Sequence, residues 1–314
     1  MPEKQPIIHS LLELVGNTPL MLPERYLALH GITARLLLKL ECRNPLSSVK
    51  DRVAAAMIAD AEERGELRPG GTIIEPTSGS AGIGLAFIGA LRGYRVIITM
   101  PDSMSAERRS LLSALGAEVV LTPGTLGMKG AIDRSEELAR EIPDAYLPRQ
   151  FQNDANPDIH RRTTAREILR DTDGQVDIFV AGVGTGGTLT GIGEVLKAHN
   201  PKTRVVAVEP TDSAVLSGGR RGLHKLQGLG AGFTPPVLNR EVYDEVITVR
   251  NNEAFDACRE MARCEGLLLG ASSGAALHAA TQLAKRAGSA DKTIVAIMPD
   301  TGERYLSSEL FDNT

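Results

Sequence analysis

The chain has 314 residues, of which 42% are apolar and 24% are charged, and its formal net charge is -4. At about 150 residues per domain, this length predicts two domains and a substantial hydrophobic core. The composition excludes disordered and fibrous proteins. The slightly acidic balance, without any basic block, argues against nucleic acid and anionic membranes as partners.

Cysteine usage bears on the cellular compartment and on metal binding. Cys42, Cys258 and Cys264 do not form a metal-ligand spacing, and their odd number does not suit a disulfide framework. The first residues lack the pattern of a signal peptide, and the most apolar window, residues 83–91, is shorter than the about 20 residues of a membrane span. We therefore expect reduced thiols, a cytoplasmic location and no metal site.

Short β-branched runs alternate with helical patterns along the chain. In chain order the pattern predicts strands at 72–75, 95–100, 118–121, 176–183, 204–208 and 293–298, and helices at 82–91, 106–115, 189–199, 252–265 and 274–287. This alternation is typical of βαβ units and parallel sheets. A break near residues 143–151 predicts two α/β lobes, with ligands at the carboxyl ends of the strands.

A glycine-rich turn follows the strand predicted at 176–183 and precedes a helix. It contains Gly184, Thr185, Gly186, Gly187 and Thr188. Such a turn suits a phosphate, because glycines allow close approach and the helix start offers free N–H groups. Glycines at 182, 184 and 187, followed by Glu209, also fit a dinucleotide site. The pattern leaves both ligands open, together with a turn that binds nothing.

Two further stretches suit an anion. Lys50 lies at the start of a predicted helix, where an ammonium is unfavourable unless an anion or a Schiff base compensates it. A solvated surface lysine is the alternative. The strand-to-helix turn at 77–82 is rich in hydroxyl and N–H groups and suits a carboxylate or a phosphate, although simple helix capping explains its serines as well.

The chain resembles the cysteine synthases (O-acetylserine sulfhydrylases), and the A form more than the B form. The likeness runs from about Leu12 to Ser308 and is carried, in order, by the segments 16–20, 47–52, 77–82, 150–151, 156–157, 184–188, 228–233, 270–274 and 302–306. It implies an α/β, two-lobed, fold type II pyridoxal-phosphate enzyme similar to the tryptophan synthase β subunit, with parallel sheets covered by helices.

The resemblance also implies roles for single residues. Lys50 would hold pyridoxal 5′-phosphate and then act as the base that removes the substrate's α-proton. The glycine-rich turn would bind the cofactor phosphate, which decides against a dinucleotide, and Ser272 would bind the pyridine nitrogen. The implied cofactor-binding residues are Lys50, Ser80, Gly184, Thr185, Gly186, Gly187, Thr188 and Ser272. The implied substrate-binding residues are Thr77, Ser78, Gly79, Ala81 and Gln150.

The reaction implied is a ping-pong β-replacement, in which sulfide replaces the acetoxy group of O-acetyl-L-serine through an aminoacrylate and gives L-cysteine and acetate. Residues 40–149 would form a smaller, mobile lobe with the substrate-binding loop, and residues 1–39 and 150–314 a larger cofactor-binding lobe. The family further implies a homodimer and a cleft that can bind the C-terminal tail of serine acetyltransferase.

One loop departs from the family at two positions. The family's loop normally reads Thr-Ser-Gly-Asn-Thr-Gly, whereas this chain has Ser80 and Ala81 at the fourth and fifth positions. The shorter Ser80 side chain predicts an altered site. The alternatives are a β-lyase or β-replacement enzyme with another substrate (cysteine desulfuration or O-phosphoserine), and a weakened paralogue that acts in a complex with serine acetyltransferase.

Overall fold

A computed structural model describes residues 7–77, 79–104 and 106–311. Its strands are β1 (Leu20–Met21), β2 (Arg35–Leu40), β3 (Thr72–Pro76), β4 (Arg95–Pro101), β5 (Glu118–Thr122), β6 (Ala145–Tyr146), β7 (Ile178–Gly182), β8 (Arg204–Pro210), β9 (Glu245–Val249) and β10 (Thr293–Met298). Its α-helices are α1 (Glu24–His30), α2 (Lys50–Glu63), α3 (Ser80–Arg92), α4 (Ala106–Ala114), α5 (Gly127–Glu141), α6 (Ala155–Ile159), α7 (Ala165–Asp171), α8 (Gly187–His199), α9 (Asn251–Glu265) and α10 (Ala271–Ala284). A π-helical segment, His160–Thr164, joins α6 to α7.

The larger sheet has six strands in the order β1-β2-β10-β7-β8-β9. All its pairings are parallel except that of β1 with β2. Leu36 and Leu38 of β2 join one hydrophobic cluster, whereas Leu37 between them joins another. Because alternate residues of a strand point to opposite faces, both faces of this sheet are buried.

The smaller sheet has four parallel strands in the order β5-β4-β3-β6. Ile73 and Ile98 pack in a cluster with residues of α2 and α3, while Ile74 and Ile97 pack on the opposite face. All four strands lie between residues 72 and 146. The lobe boundaries at 40 and 149, and the mobility of the smaller lobe, stay predictions.

Every strand and helix predicted from the pattern is present, and the predicted α/β class is confirmed. The largest shift of a boundary is in α10, which begins at Ala271 instead of 274. Gly274 lies inside this helix. A glycine is needed there for close contact with α9, since an added Cβ would lie 2.2 Å from the Ala254 carbonyl oxygen. Strands β1, β2, β6 and β9 and helices α1, α5, α6 and α7 were not predicted. Within the described residues, no helix combines the length and apolar character needed to cross a membrane.

A buried network of charges connects β2, α2 and α7. The Arg52 guanidinium donates to both carboxylate oxygens of Glu41, at 2.8 and 2.9 Å, and to both of Glu167, each at 2.7 Å. Lys39 lies 2.8 Å from Glu167. The network is electrically balanced, with two carboxylates facing two cations. Burial alone would raise the pKa of Glu167, but Arg52 and Lys39 outweigh it and lower that pKa to about 2.

We predict that Arg52→Leu lowers the free energy of unfolding by about 3–5 kcal/mol, because it leaves two buried carboxylates without their main partner. Urea denaturation followed by circular dichroism measures this loss. Arg95→Leu is the matched control, since Arg95 pairs with Glu118 at the surface and its loss should cost less than about 1 kcal/mol. Equal losses in the two variants would contradict a special role for the buried network.

Candidate active site

Lys50 begins α2 beside the carboxyl end of β10. The segment before it pairs with the segment after β10: Ser48 forms an isolated antiparallel bridge with Asp300, and the Val49 N–H donates to the Pro299 carbonyl at 2.8 Å. The Ser48 hydroxyl accepts the Lys50 N–H at 3.2 Å. The predicted lysine is therefore held at the sheet edge where parallel α/β folds bind their ligands.

The Lys50 ammonium would be poorly solvated. Burial lowers the pKa of Lys50 to about 8, and the charge of Asp300 opposes that shift. No residue in the described part of the chain hydrogen-bonds its Nζ. A lysine in this state has a sizeable fraction of neutral amine near neutral pH, which is the form that adds to a carbonyl carbon.

The glycines after β7 are required by close contacts. An added Cβ at Gly184 would lie 2.1 Å from the Gly228 carbonyl oxygen, and one at Gly187 would lie 2.0 Å from Asn156 Oδ1. Gly186 has a φ of +87°, a backbone conformation that residues other than glycine rarely adopt. The turn is therefore a tightly packed backbone surface and not a loose loop.

This turn leads directly into the N-terminus of α8. The N–H groups of the first turn of a helix have no partners within the helix, so that they can bind an anion. Thr185 is buried and accepts a hydrogen bond from Asn156 Nδ2 at 3.0 Å. The Thr188 hydroxyl lies 3.2 Å from His160 Nε2. Together these contacts fix both threonine hydroxyls beside the start of α8, where the Gly187 N–H also makes a long contact of 3.5 Å with the Thr185 hydroxyl.

Glu209 does not play the part that a dinucleotide site would require. Its carboxylate accepts the N–H groups of Leu216 and Ser217, at 2.8 and 2.9 Å, and the Ser217 hydroxyl at 2.5 Å. The side chain thus holds the following loop and has little capacity left for a ribose.

Ser272 lies in the first turn of α10 and is close to the glycine-rich turn. It is buried, and an added Cβ at Gly228 would lie 3.6 Å from its hydroxyl oxygen. Gly228 also contacts Gly184, so Ser272 and the glycine-rich turn meet at one glycine. Within the described ranges, no hydrogen bond involves the Ser272 hydroxyl, which leaves it available to a ligand.

The predicted substrate loop joins β3 to α3. Thr77 is buried, its N–H donates to the Thr99 carbonyl at 3.1 Å, and its hydroxyl accepts the Gly79 N–H at 3.1 Å. Ala81 is buried in the first turn of α3. Ser78, which was also assigned to the substrate, lies outside the described residues.

Ser80 is already engaged within the protein. Its hydroxyl accepts a hydrogen bond from Arg304 Nη1 at 3.1 Å and makes a long contact of 3.4 Å with Asp300 Oδ2. The residue therefore contacts the segment that follows β10 in the larger sheet. Whether it also contacts a cofactor, as the resemblance implies, stays a prediction.

Gln150 is held from two sides. Its N–H and that of Arg149 donate to the Glu75 carboxylate at 3.4 and 3.0 Å, and its carbonyl accepts Asn156 Nδ2 at 2.9 Å. Burial raises the pKa of Glu75 to about 7, and the hydrogen bonds from Gln150 and Arg149 oppose that rise. Because Asn156 also binds Thr185, Gln150 is linked to the glycine-rich turn.

Several residues of this site had no role assigned from the sequence. Asn156 had been noted only as part of a motif, and His160 had been taken as a structural or solvated histidine. Glu75 is the last but one residue of β3, and Asp300 lies two residues after β10. Both are at the carboxyl ends of parallel strands, where ligands were expected. A polar residue at the carboxyl end of a predicted parallel strand was the signal available for these last two.

The residues present fit pyridoxal 5′-phosphate group by group. A half-buried lysine with a lowered pKa suits its aldehyde, and the start of α8 with the threonine hydroxyls suits its phosphate. The Ser272 hydroxyl suits a pyridine nitrogen as a neutral partner. The close contacts at Gly184 and Gly187 allow no side chain at these positions, so no side chain from them can cover a phosphate.

Comparison with known proteins agrees with this fit. A family model described as "Pyridoxal-phosphate dependent enzyme" matches residues 11–300. The chain is 51% identical to a cysteine synthase of Staphylococcus aureus, over 97% of both chains. Its fold is similar to that of a cysteine synthase from Entamoeba histolytica (TM-score 0.93, 43% identity, 99% of this chain and 93% of that chain).

A third similar protein is a hydrogen sulfide-producing enzyme from Fusobacterium nucleatum (TM-score 0.90, 40% identity, 96% of this chain and 100% of that chain). The family model covers most of the chain, and these relatives are similar along nearly all of it. The chain therefore belongs to the family of pyridoxal-phosphate dependent enzymes, with the fold type II architecture.

Proposed function

We propose that this protein is a cysteine synthase, which converts O-acetyl-L-serine and sulfide to L-cysteine and acetate. The observation that carries the proposal is the half-buried lysine, Lys50, held beside the end of β10 with no hydrogen bond to its amine from the described residues. Similarity to cysteine synthases along nearly the whole chain supports the choice of substrates.

In this proposal, Lys50 has two tasks. Its neutral amine binds the aldehyde of pyridoxal 5′-phosphate, and after the substrate has taken its place the same nitrogen accepts the proton from the substrate's α-carbon. When bound, the cofactor supplies the electron sink that makes this α-proton acidic. The low pKa of Lys50 favours the neutral amine that both tasks need.

The other residues bind and orient. The N–H groups of 184–188 hold the phosphate, and Ser272 pairs with the ring nitrogen as a neutral hydroxyl, which cannot compensate a full positive charge as a carboxylate would. The loop at 77–81 and Gln150 hold the amino acid's carboxylate. Glu75, which comes two residues before this loop, accepts the Gln150 N–H, so the loop and Gln150 lie close together.

We further propose that residues 40–149 move as a lobe that closes over the substrate and excludes water. From the family resemblance we also propose a homodimer and a cleft able to bind the C-terminal tail of serine acetyltransferase. The three unpaired cysteines support a reducing, cytoplasmic environment.

We predict that Lys50→Ala lowers kcat/KM for cysteine formation by at least about 10³-fold, since both an attachment point and a base are lost. The purified wild-type protein should absorb visible light, change its spectrum on addition of O-acetylserine and regain it with sulfide. The variant should show neither change. Lys129→Ala, at an exposed residue of α5, should behave as wild type. A wild-type protein that cannot be loaded with the cofactor would overturn the proposal.

We predict that Gln150→Ala raises KM for O-acetylserine about tenfold or more, because a hydrogen bond to a carboxylate contributes about 1.5–3 kcal/mol. The KM for sulfide should change little, since sulfide has no carboxylate. Steady-state kinetics with each substrate varied in turn measure both values. Gln152→Ala, two residues away, is the control. A Gln150 variant with an unchanged KM for O-acetylserine would remove this residue from the carboxylate site.

A second candidate function is cysteine desulfuration. Ser80 favours it, because its short side chain is engaged by Arg304 and Asp300 and is less able to reach a cofactor than an asparagine would be. One similar protein of the same fold is a hydrogen sulfide-producing enzyme. A changed contact at this position would alter which substrate reacts faster.

The ratio of the two activities tests this candidate. We predict that Ser80→Asn raises cysteine formation relative to sulfide release from cysteine, since the longer amide can contact the cofactor while leaving Lys50 untouched. Both rates are measured on the same preparation, together with the visible spectrum. An unchanged ratio and an unchanged spectrum would show that position 80 does not select the reaction.

A further inference from the structure

Asp300 is a buried carboxylate beside the proposed active site with no role assigned so far. It lies two residues after the end of β10 and is 4% exposed. Its Oδ2 accepts the Tyr305 hydroxyl at 2.7 Å, whereas its buried Oδ1 has no hydrogen-bond partner in the described part of the chain. A buried carboxylate oxygen without a partner is costly, so this group calls for an explanation.

Backbone contacts place Asp300 beside the segment that leads into Lys50. Asp300 bridges Ser48, two residues before Lys50, and the Thr301 N–H donates to the Ser47 carbonyl at 3.3 Å. Gly270 makes room for the side chain, since an added Cβ there would lie 2.1 Å from Asp300 Oδ1. The carboxylate therefore has a built place between the lysine segment and the start of α10.

The surroundings of Asp300 act in opposite directions on its charge, and their net effect is a pKa above the usual range. Burial raises the pKa of Asp300, and hydrogen bonds from Tyr305 and Ser80 and the charges of Arg304 and Arg108 oppose the rise. Among the described residues, Asp300 is the acid whose charge raises the pKa of Lys50 against the effect of burial. The titratable and charged groups that act on the two residues, from all surrounding elements, are Cys42, His160, Cys258, Arg108, Arg304 and Tyr305.

We propose that the Asp300 carboxylate is the counter-charge of the protonated Lys50 side chain, and thus a positioning residue that sets the pH at which Lys50 holds a proton. The inference rests on the proposed function of Lys50. When Lys50 Nζ takes the proton from the substrate's α-carbon, the C–H electron pair stays with the carbon and the nitrogen becomes an ammonium. Asp300 then compensates the new buried positive charge without itself changing protonation.

The sign of the effect of Asp300 follows from this arrangement. A nearby carboxylate favours the ammonium form, so that removing its charge should lower the pKa of Lys50 below its value of about 8. Opposite charges at close range shift a pKa by about one to three units. Asp300→Asn should therefore leave more neutral amine at low pH, while a purely structural defect would not move the pH midpoint.

The test measures the rate at which the full chain, freed of pyridoxal 5′-phosphate, takes it up between pH 6 and 9, followed by growth of visible absorption. Only the neutral amine of Lys50 reacts. With each protein normalised to its rate at pH 9, Asp300→Asn should react about tenfold faster than wild type at pH 6, as expected of a one-unit shift. In the holoenzyme, where the Lys50 amine is free only after the substrate has taken its place, the acidic limb of kcat should move to lower pH as well.

Asp291→Asn is the matched control, because it makes the same chemical change at an exposed position before the other end of β10. Its pH midpoint should equal that of wild type. An unchanged midpoint in Asp300→Asn, or a shift to higher pH, would overturn the inference.

A second variant keeps the inference testable if Asp300→Asn does not fold. Tyr305→Phe removes the donor to Oδ2 and makes the carboxylate form less stable, so that the midpoint should shift in the same direction by a smaller amount; no shift would again overturn the inference. Lys50→Ala separates the two proposals. If it still acquired the same visible absorption, the proposed function of Lys50 would be wrong, and the role of Asp300, which rests on it, would fall with it; an unshifted Asp300→Asn midpoint would overturn the role of Asp300 alone.

Discussion

The buried ion pairs of Arg52 are the interaction on which the arrangement of the site depends. One guanidinium binds carboxylates from residues 41 and 167, and so joins three segments that are far apart in the sequence. Bidentate pairing fixes the direction of the guanidinium plane as well as its distance. Since Arg52 lies two residues after Lys50 in the first turn of α2, the same contacts fix the position of the lysine relative to the larger sheet.

Close backbone contacts then bring the other site elements to that lysine. Gly84 of α3 approaches the Lys50 carbonyl, from which an added Cβ would lie 2.8 Å away, so the substrate loop before α3 stays near α2. Gly184 and Gly228 bring the glycine-rich turn close to Ser272 in the same manner. These glycines replace side-chain packing by backbone contact, which places N–H groups, and not apolar surface, around the reacting centre.

The sequence pattern predicted the strands and helices that alternate most regularly, because buried parallel strands are continuous apolar runs between turn residues. It did not predict β2, whose run of leucines contains Lys39; that lysine is buried because Glu167, far along the chain, neutralises it. Gly274 was misinterpreted as a helix start, since a contact with another helix is invisible in a local window. The roles assigned to Lys50 and to the glycine-rich turn came from local patterns and from the family resemblance. By contrast, Asp300, Glu75 and Asn156 act through partners that only the fold brings close.

Asn156 gives the two halves of the site a shared side chain. Its amide donates both to the carbonyl of Gln150 and to the hydroxyl of Thr185, and so it connects the residues proposed to bind the substrate carboxylate with those proposed to bind the cofactor phosphate. Two ligands that depend on one side chain have interdependent binding free energies, and thermodynamic linkage makes that dependence reciprocal. In the proposed site, the affinity for the amino acid would therefore depend on whether the cofactor phosphate is bound, and the affinity for the cofactor would depend on the amino acid.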